Sequence, residues 1–128
     1  MFDWFEYFDL AKSLAQQNDE ASQRSAVSRA YYAAFCNARN WLRREGLSIP
    51  KTGKAHEIVW NQYESSSERQ HRLIAQYGKR LRRKRTEVDY DDEIRNLDYF
   101  VQDAMETASR LIVLLRSLSD FMSSPPTN

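Results

Sequence analysis

Arg85 is the residue whose type and position carry the most chemistry. It follows Leu81 by four residues and precedes Val88 by three, so helical spacing places its guanidinium on the apolar face of a predicted helix. A charge in that position needs a partner. Two interpretations are open: a structural ion pair with Asp89 or with an acid of the last helix, or a phosphate-binding arginine in a cleft.

The segment that ends at Arg85 is strongly basic. Six of the seven residues in Lys79–Arg85 are Lys or Arg, including Arg82 and Arg83, whereas residues 86–106 hold eight acids and one Arg. Such a run can neutralise several phosphates of RNA and make the affinity depend on salt. It can equally pair with the acids that follow it. The sequence alone does not choose between these readings.

A second polar surface is predicted beside the core face of the second helix. At three- and four-residue spacing it carries Ser25, Arg29, Tyr32, Cys36, Arg39 or Asn40, and Arg43. A solvated helix face is normally this polar, but Tyr32 between arginines also suits a nucleotide or a dimer partner. We therefore count Arg29 and Tyr32 as candidate binding residues.

The signals of metal and cofactor chemistry are weak. The two histidines, His56 and His71, have no second histidine or cysteine at ligand spacing, and Cys36 is the sole cysteine, so we expect no metal site and no disulfide. No glycine-rich phosphate loop, nucleophile elbow or metalloprotease motif occurs. We expect no cofactor.

The elements that must position these side chains are helices. Three glycines and three prolines in 128 residues leave long uninterrupted stretches, and apolar residues recur at helical spacing. The predicted helices run over Asp3–Gln17, from a cap at Asn18 or Asp19 to Gly46, around Ala55 to Tyr63, over Glu68–Val88, and from a cap at Asp91 or Asp92 to Met122. The fold class is all-α, an antiparallel bundle of four to five helices.

Composition and length set the class of protein. With 41% apolar and 29% charged residues, the chain is expected to fold as one soluble domain over residues 1–122, followed by a disordered tail over 123–128. The first residues lack a signal-peptide pattern, and no apolar run approaches the ~20 residues of a membrane span. We expect a cytoplasmic protein with no membrane role.

Two segments together resemble a known family. The segment from Ala26 to Phe35 reads AVSRAYYAAF, and the segment from Leu81 to Asp91 reads LRRKRTEVDYD. They are similar to the "SRxYYAxF" and "LRxxRxxADY" segments of one branch of the HEPN domain family, and Gly53–His56 takes the place of a His-containing segment between them. The resemblance spans roughly residues 8 to 118 in the right order.

The resemblance implies a fold, a class of ligand and partners. It implies a four- to five-helix antiparallel bundle, usually a homodimer whose late arginine motifs meet in a shared cleft, and a link to RNA or nucleotides. Active ribonucleases of the family carry an Arg followed, after four to six residues, by a His. Here the positions after Arg85 that could hold it are Tyr90, Asp91 and Asp92, so the catalytic His is missing.

Tyr90 is the residue that would take the place of that His. A tyrosine with its ordinary pKa of ~10 is a poor general base at neutral pH. Arg85 and Tyr90 are therefore the candidate catalytic pair, but this pair lacks an effective general base. They could still bind phosphate and stack a base, with His56 or Tyr32 completing the site from elsewhere in the fold.

Three functions follow from these observations and stay open at this point. The first is a dimeric RNA- or nucleotide-binding protein that uses Arg29, Tyr32, His56 and the arginines 82, 83 and 85. The second is a divergent, metal-independent ribonuclease, such as the toxin of a toxin–antitoxin pair whose antitoxin resembles a minimal nucleotidyltransferase. The third is a structural helical interaction module in which Arg85 is paired internally.

Overall fold

Five helices make up the part of the chain that can be described. The computed structural model describes residues 1–123, with side chains through Leu118, and within residues 1–123 it contains no strand. The helices are α1 (Glu6–Ala15), α2 (Glu20–Arg44), α3 (Lys54–Glu64), α4 (Arg69–Tyr90) and α5 (Leu97–Ser123). The predicted all-α bundle is confirmed.

Helix α2 lies at the centre and packs against each of the other four helices. The Asp19 carboxylate caps it by accepting a hydrogen bond of 2.9 Å from the Ser22 backbone N–H, as predicted. Just after its end, Gly46 has φ +96, a conformation that glycine adopts without strain. Small buried side chains, Ala30, Ala34 and Ala38 among them, let neighbouring helices approach closely.

Helices α3 and α4 meet at Trp60 and Gly78. The Trp60 side chain is fully buried, and a Cβ atom at position 78 would overlap its indole ring. Glycine weakens a helix interior by roughly 1 kcal/mol relative to alanine. Here that cost is offset by the close approach of the indole, which fixes α3 against the side of α4.

The start of α5 differs from the prediction. The expected cap at Asp91 or Asp92 is wrong, because α5 begins at Leu97. The Arg24 guanidinium donates hydrogen bonds to the backbone carbonyls of Val88 at 3.0 Å, Asp91 at 2.6 Å and Asp92 at 3.0 Å. These bonds fasten the chain in a non-helical connection between α4 and α5.

The first helix is shorter than the predicted Asp3–Gln17, because the Asp3 carboxylate accepts a hydrogen bond from the Phe5 N–H at 3.0 Å and forms a turn there. Residues 124–128 of the predicted tail, and the side chain of Met122, lie outside the described part. The division into one domain and a tail stays a prediction. None of the described helices has the length and apolar character needed to span a membrane.

Candidate phosphate-binding site

The basic residues of α4 fall on two flanks of the helix. Arg80 and Lys84 are four residues apart and share one flank, which we call the acid-paired flank. Arg82 and Arg85 are three residues apart and share the other, which we call the arginine flank. The buried Leu81 and Val88 lie between them and face the core.

The acid-paired flank is neutralised by Asp103 of α5. The Asp103 carboxylate contacts Arg80 at 2.7 Å and Lys84 at 3.0 Å. Burial acts to raise the pKa of Asp103, but the hydrogen bonds from Lys84 and Arg80 outweigh it and hold this pKa below its ordinary value. Lys79 likewise pairs with Glu64 of α3. Part of the basic run therefore pairs with nearby acids, as one of the two readings predicted.

The arginine flank lacks such neutralisation. Among the residues that the structure describes, Arg82 and the neighbouring, exposed Arg83 have no ion pair. Arg85 has a single contact of 3.6 Å with Asp89, longer than a charge-assisted hydrogen bond. Only 11% of the Arg85 side chain is exposed, and its buried Nε–H has no hydrogen-bond partner in the described residues.

Aromatic rings from α2 cover Arg85. Its guanidinium carbon lies 5.3 Å from the ring centroid of Tyr31 and 5.6 Å from that of Tyr32. Tyr32 also contacts Arg29, whose guanidinium carbon lies 5.2 Å from the Tyr32 ring centroid and 4.9 Å from that of Tyr7. Cations and rings thus alternate from α1 across α2 to α4, and the attraction of each cation for its rings favours a fixed orientation.

His56 joins this group from α3. Its Nδ1 lies 2.6 Å from the Tyr31 hydroxyl. The same hydroxyl accepts a hydrogen bond of 3.1 Å from the Trp60 indole N–H. The imidazole stacks on Phe35, with ring centroids 4.1 Å apart. Burial, and then the charges of Arg82 and Arg85, lower the pKa of His56 to about 4, so the ring is neutral at physiological pH.

We call Tyr31, Tyr32, His56, Arg82 and Arg85 the Arg85 cluster. Beside it lies a groove of about 270 Å³ between α3 and α4, lined by Glu57, Trp60, Asn61, Lys79, Arg82 and Arg83. Two of the arginines of α4 that have no described acidic partner therefore face one concave surface. A groove of this size is at the small end for ligand sites and suits a phosphate with its sugar.

Most of the residues predicted from the sequence come together here. Arg29, Tyr32, His56 and Arg82 lie in or next to the Arg85 cluster, and Arg83 lies at the groove. Tyr90 does not join them: it is five positions after Arg85, which is about 140° around the helix, and it is 75% exposed. Within the described residues, no hydrogen bond or ring contact links it to Arg85.

The chain matches a family model. The model that describes the HEPN domain matches residues 6–118, which include all five residues of the Arg85 cluster. The chain belongs to the HEPN domain family. No curated protein and no solved structure matches it. HEPN domains are nucleotide- or RNA-binding helical bundles, often with ribonuclease-like function, so family and geometry point to the same class of ligand.

Tyr31 and Trp60 belong to the candidate site, although the sequence analysis did not single them out. Tyr31 falls on the core stripe of α2 and is fully buried, so its periodicity indicates packing alone. The other histidine, His71, lies elsewhere, 3.2 Å from the Ser66 hydroxyl and 3.2 Å from Glu68. In the described residues, no three His, Cys, Asp or Glu side chains cluster as metal ligands.

Proposed function

We propose that this HEPN domain binds RNA or a nucleotide through phosphate contacts from Arg82, Arg83 and Arg85, with little or no cleavage. The observation that carries the proposal is the difference between the flanks of α4. Arg80 and Lys84 share Asp103, whereas Arg82 and Arg83 have no ion pair within the described residues and line a groove. The groove is lined by three cations, Lys79, Arg82 and Arg83, and by one acid, Glu57. This excess of positive charge at a concave surface favours an anionic ligand.

Arg29 and Tyr32 extend the proposed site beyond the phosphate. Arg29 lies over the Tyr32 and Tyr7 rings, and it is half-buried rather than projecting freely into solvent. Arginine and tyrosine planes offer stacking surfaces for unpaired bases, which suits single-stranded RNA. We therefore propose that a base adjoins the phosphate on this side of α2.

The test compares two pairs of substitutions on the same helix. The variant Arg82→Gln/Arg83→Gln removes two charges at the groove, and the control Arg80→Gln/Lys84→Gln removes two on the acid-paired flank. We expect fluorescence anisotropy with a labelled ten-nucleotide single-stranded RNA to show that the first pair of substitutions lowers the affinity for RNA roughly tenfold. The slope of log affinity against log salt should also fall by about 1.4. Equal losses in both pairs would refute a specific site.

A divergent ribonuclease is the second candidate, and one observation favours it. His56 reaches the Arg85 cluster from α3, so a histidine is present although the arginine motif lacks its own. Incubation of RNA without metal decides between the two functions. Cleavage that is lost in both Arg85→Ala and His56→Ala would establish the enzyme, and intact RNA together with binding would establish the binding protein.

The structural-module reading has less support. It requires Arg85 to be fully satisfied within one protomer, but its Nε–H has no partner in the described residues and its contact with Asp89 is 3.6 Å. If the protein were only a structural module, neither Arg85→Ala nor Arg82→Gln/Arg83→Gln would change its affinity for RNA.

We also propose a homodimer in the cytoplasm. The dimer is supported by the family and by an apolar surface groove of about 290 Å³ where exposed Val113 adjoins Leu73, Tyr77 and Leu114. The cytoplasm is supported by the buried free thiol of Cys36. Sedimentation equilibrium is expected to give twice the chain mass for the wild type and the single-chain mass for Val113→Glu.

A toxin–antitoxin role with a minimal-nucleotidyltransferase-like antitoxin is the last part of the proposal, and the family resemblance alone supports it. Growth inhibition on expression, relieved by Arg85→Ala, is the expected result. Unchanged growth at high expression would argue against this role without affecting RNA binding.

A further inference from the structure

The hydroxyl of Tyr31 determines which nitrogen of His56 carries the proton. Tyr31 is fully buried, and burial raises the pKa of its phenol far above the ordinary value, so the hydroxyl keeps its proton. It already accepts the Trp60 N–H. Within the described residues, His56 Nδ1, 2.6 Å away, is the acceptor for its own proton. A buried hydroxyl without an acceptor is costly, so Nδ1 must present its lone pair.

A neutral imidazole whose Nδ1 accepts carries its proton on Nε2. The titratable and charged groups around His56 favour this neutral state: Tyr31 and Tyr32 on α2 are uncharged, and Arg82 and Arg85 on α4 are positive. On its own helix, Glu57 is exposed, and on α4 Asp89 is in contact with Arg85. No described acid contacts the ring to hold a second proton on it.

The Nε2–H of His56 is free to meet a ligand. It has no hydrogen-bond partner in the described residues, yet it is not among their buried unpartnered polar atoms, so it reaches solvent. The ring is fixed by the stack on Phe35 and by the edge of Tyr32, whose centroid lies 6.0 Å away. His56 is one turn before Trp60 on α3, and Trp60 lines the groove with Arg82 and Arg83.

We infer that His56 is a neutral hydrogen-bond donor, through Nε2–H, to a phosphate oxygen held by Arg82 and Arg85, and that Tyr31 is the residue that positions it. The inference rests on the proposed function, since it assumes a phosphate at this site. It excludes His56 as the base for the RNA 2'-hydroxyl, because a protonated Nε2 has no lone pair to accept that proton. The opposite tautomer would leave the Tyr31 hydroxyl without its acceptor.

The tautomer can be measured without any ligand. Long-range ¹H–¹⁵N spectra at pH 7 are expected to show a protonated Nε2 and an unprotonated Nδ1 for His56. The other histidine signal is assigned with His71→Gln. In Tyr31→Phe, the Nδ1-protonated form should appear. A His56 ring that is charged at pH 7, or protonated on Nδ1 in the wild type, would overturn the inference.

Binding to the ten-nucleotide RNA, and separately to a nucleoside monophosphate, tests the donor. His56→Leu is expected to weaken binding roughly tenfold or more, because a hydrogen bond to a charged oxygen is lost. His56→Gln supplies an amide N–H and should recover most of the affinity, and the control His71→Gln should match the wild type. Loss with both ligands places the contact at the phosphate itself, and loss with RNA alone places it at an internal phosphodiester.

The remaining outcomes separate the inference from the proposed function. If His56→Leu binds as well as the wild type while Arg82→Gln/Arg83→Gln does not, the inference is wrong and the proposed function stands. If neither change weakens binding, the proposed function fails. RNA affinity should be flat from pH 6.5 to 8.5; affinity that rises steadily as the pH falls through this range would show a charged imidazole contact and overturn the neutral donor.

Discussion

Both flanks of α4 carry basic residues, but only one of them is neutralised by an acid of a neighbouring helix. On the acid-paired flank, Arg80 and Lys84 converge on one carboxylate of α5. On the arginine flank, Arg85 is nearly buried beside the Tyr31 and Tyr32 rings. Arg82 has no ion pair among the described residues and lines a groove. A shift of one or two positions along the helix therefore changes the role of a basic residue. Counting the charges in the basic run does not predict this difference. It depends on which neighbouring helix places an acid beside each residue.

The largest effect is expected from breaking the contact that holds α3 beside the arginine flank. Gly78→Ala should lower the free energy of unfolding by about 2 kcal/mol or more, because the added Cβ overlaps the Trp60 ring. Chemical denaturation measures this loss, and amide hydrogen exchange should accelerate more in α3 than in α5. The control Gly53→Ala, with nothing within 4 Å of its Cβ, should change stability by less than about 1 kcal/mol. Equal effects would contradict the packing account.

The next largest effect is expected from replacing an arginine by lysine, which keeps the charge but changes the shape of the side chain. Arg85→Lys keeps the positive charge but loses the planar guanidinium that contacts the Tyr31 and Tyr32 rings, so RNA affinity should fall roughly five- to tenfold. Arg80→Lys on the acid-paired flank should change it less than about twofold. Anisotropy titrations of both variants provide the test. If the Arg85→Lys protein binds RNA as tightly as the wild type, the affinity depends only on the positive charge at this position and not on the guanidinium.

The flanks should also differ in their response to acid. The pKa of His56 is lowered to about 4 in the fold from ~6.5 unfolded. The unfolded chain therefore binds this proton first, and the free energy of unfolding falls as the pH drops from 6.5 to 4. Because solvent screens the part-exposed ring, we expect a loss of about 1–2 kcal/mol. The pKa of Asp103 is also lowered in the fold. Its contribution to the free energy of unfolding is therefore fully present above its unfolded pKa and is lost only as the pH falls below that value.

Denaturation curves of the wild type and His56→Gln at pH 7, 5.5 and 4.5 check this sign. Other carboxyls titrate in the same range, so the difference between the two proteins is the quantity to compare. If the free energy of unfolding of the wild type falls no faster with decreasing pH than that of His56→Gln, the surroundings of the histidine do not hold it neutral.

The smallest effect comes from making the acid-paired flank resemble the other one. Asp103→Asn frees Arg80 and Lys84 from their shared carboxylate. We expect RNA affinity at low salt to rise about two- to threefold through the added net charge. The free energy of unfolding should fall by about 1 kcal/mol or more, because the Lys84 and Asp103 side chains are only 17% and 18% exposed and Lys84 loses its charge partner. The gain should vanish at high salt, and a gain that persists there would mean that this flank also makes a specific contact.

The helices were predictable because apolar spacing and caps are local signals. The cap at Asp19 and the end of α2 near Gly46 follow from residues within a few positions of each other. The start of α5 was not predictable in this way, because Arg24, more than sixty residues earlier, holds the backbone at Asp91 and Asp92. A residue of a good capping type does not begin a helix when a distant side chain hydrogen-bonds its backbone carbonyl and holds the chain in a non-helical conformation.

The site was half predictable for a similar reason. Helical spacing placed Arg85 on the apolar face and Tyr32 beside Arg29, since those relations lie within one helix. The hydrogen bonds from Trp60 to Tyr31 and from Tyr31 to His56 join residues that are 29 and 25 positions apart, respectively. Periodicity assigns a face to each residue but does not pair faces across helices, so the partner of His56 could not be read from the sequence.

The hydrogen bond from Trp60 to Tyr31 makes the site visible to fluorescence. Trp60 is fully buried, whereas the other two indoles, of Trp4 and Trp41, are only partly buried. With those two replaced by phenylalanine, the emission would come from the single indole whose N–H donates to the hydroxyl that orients His56. Its wavelength would then report occupancy of the proposed phosphate site through two hydrogen bonds, without a label on either the protein or the RNA.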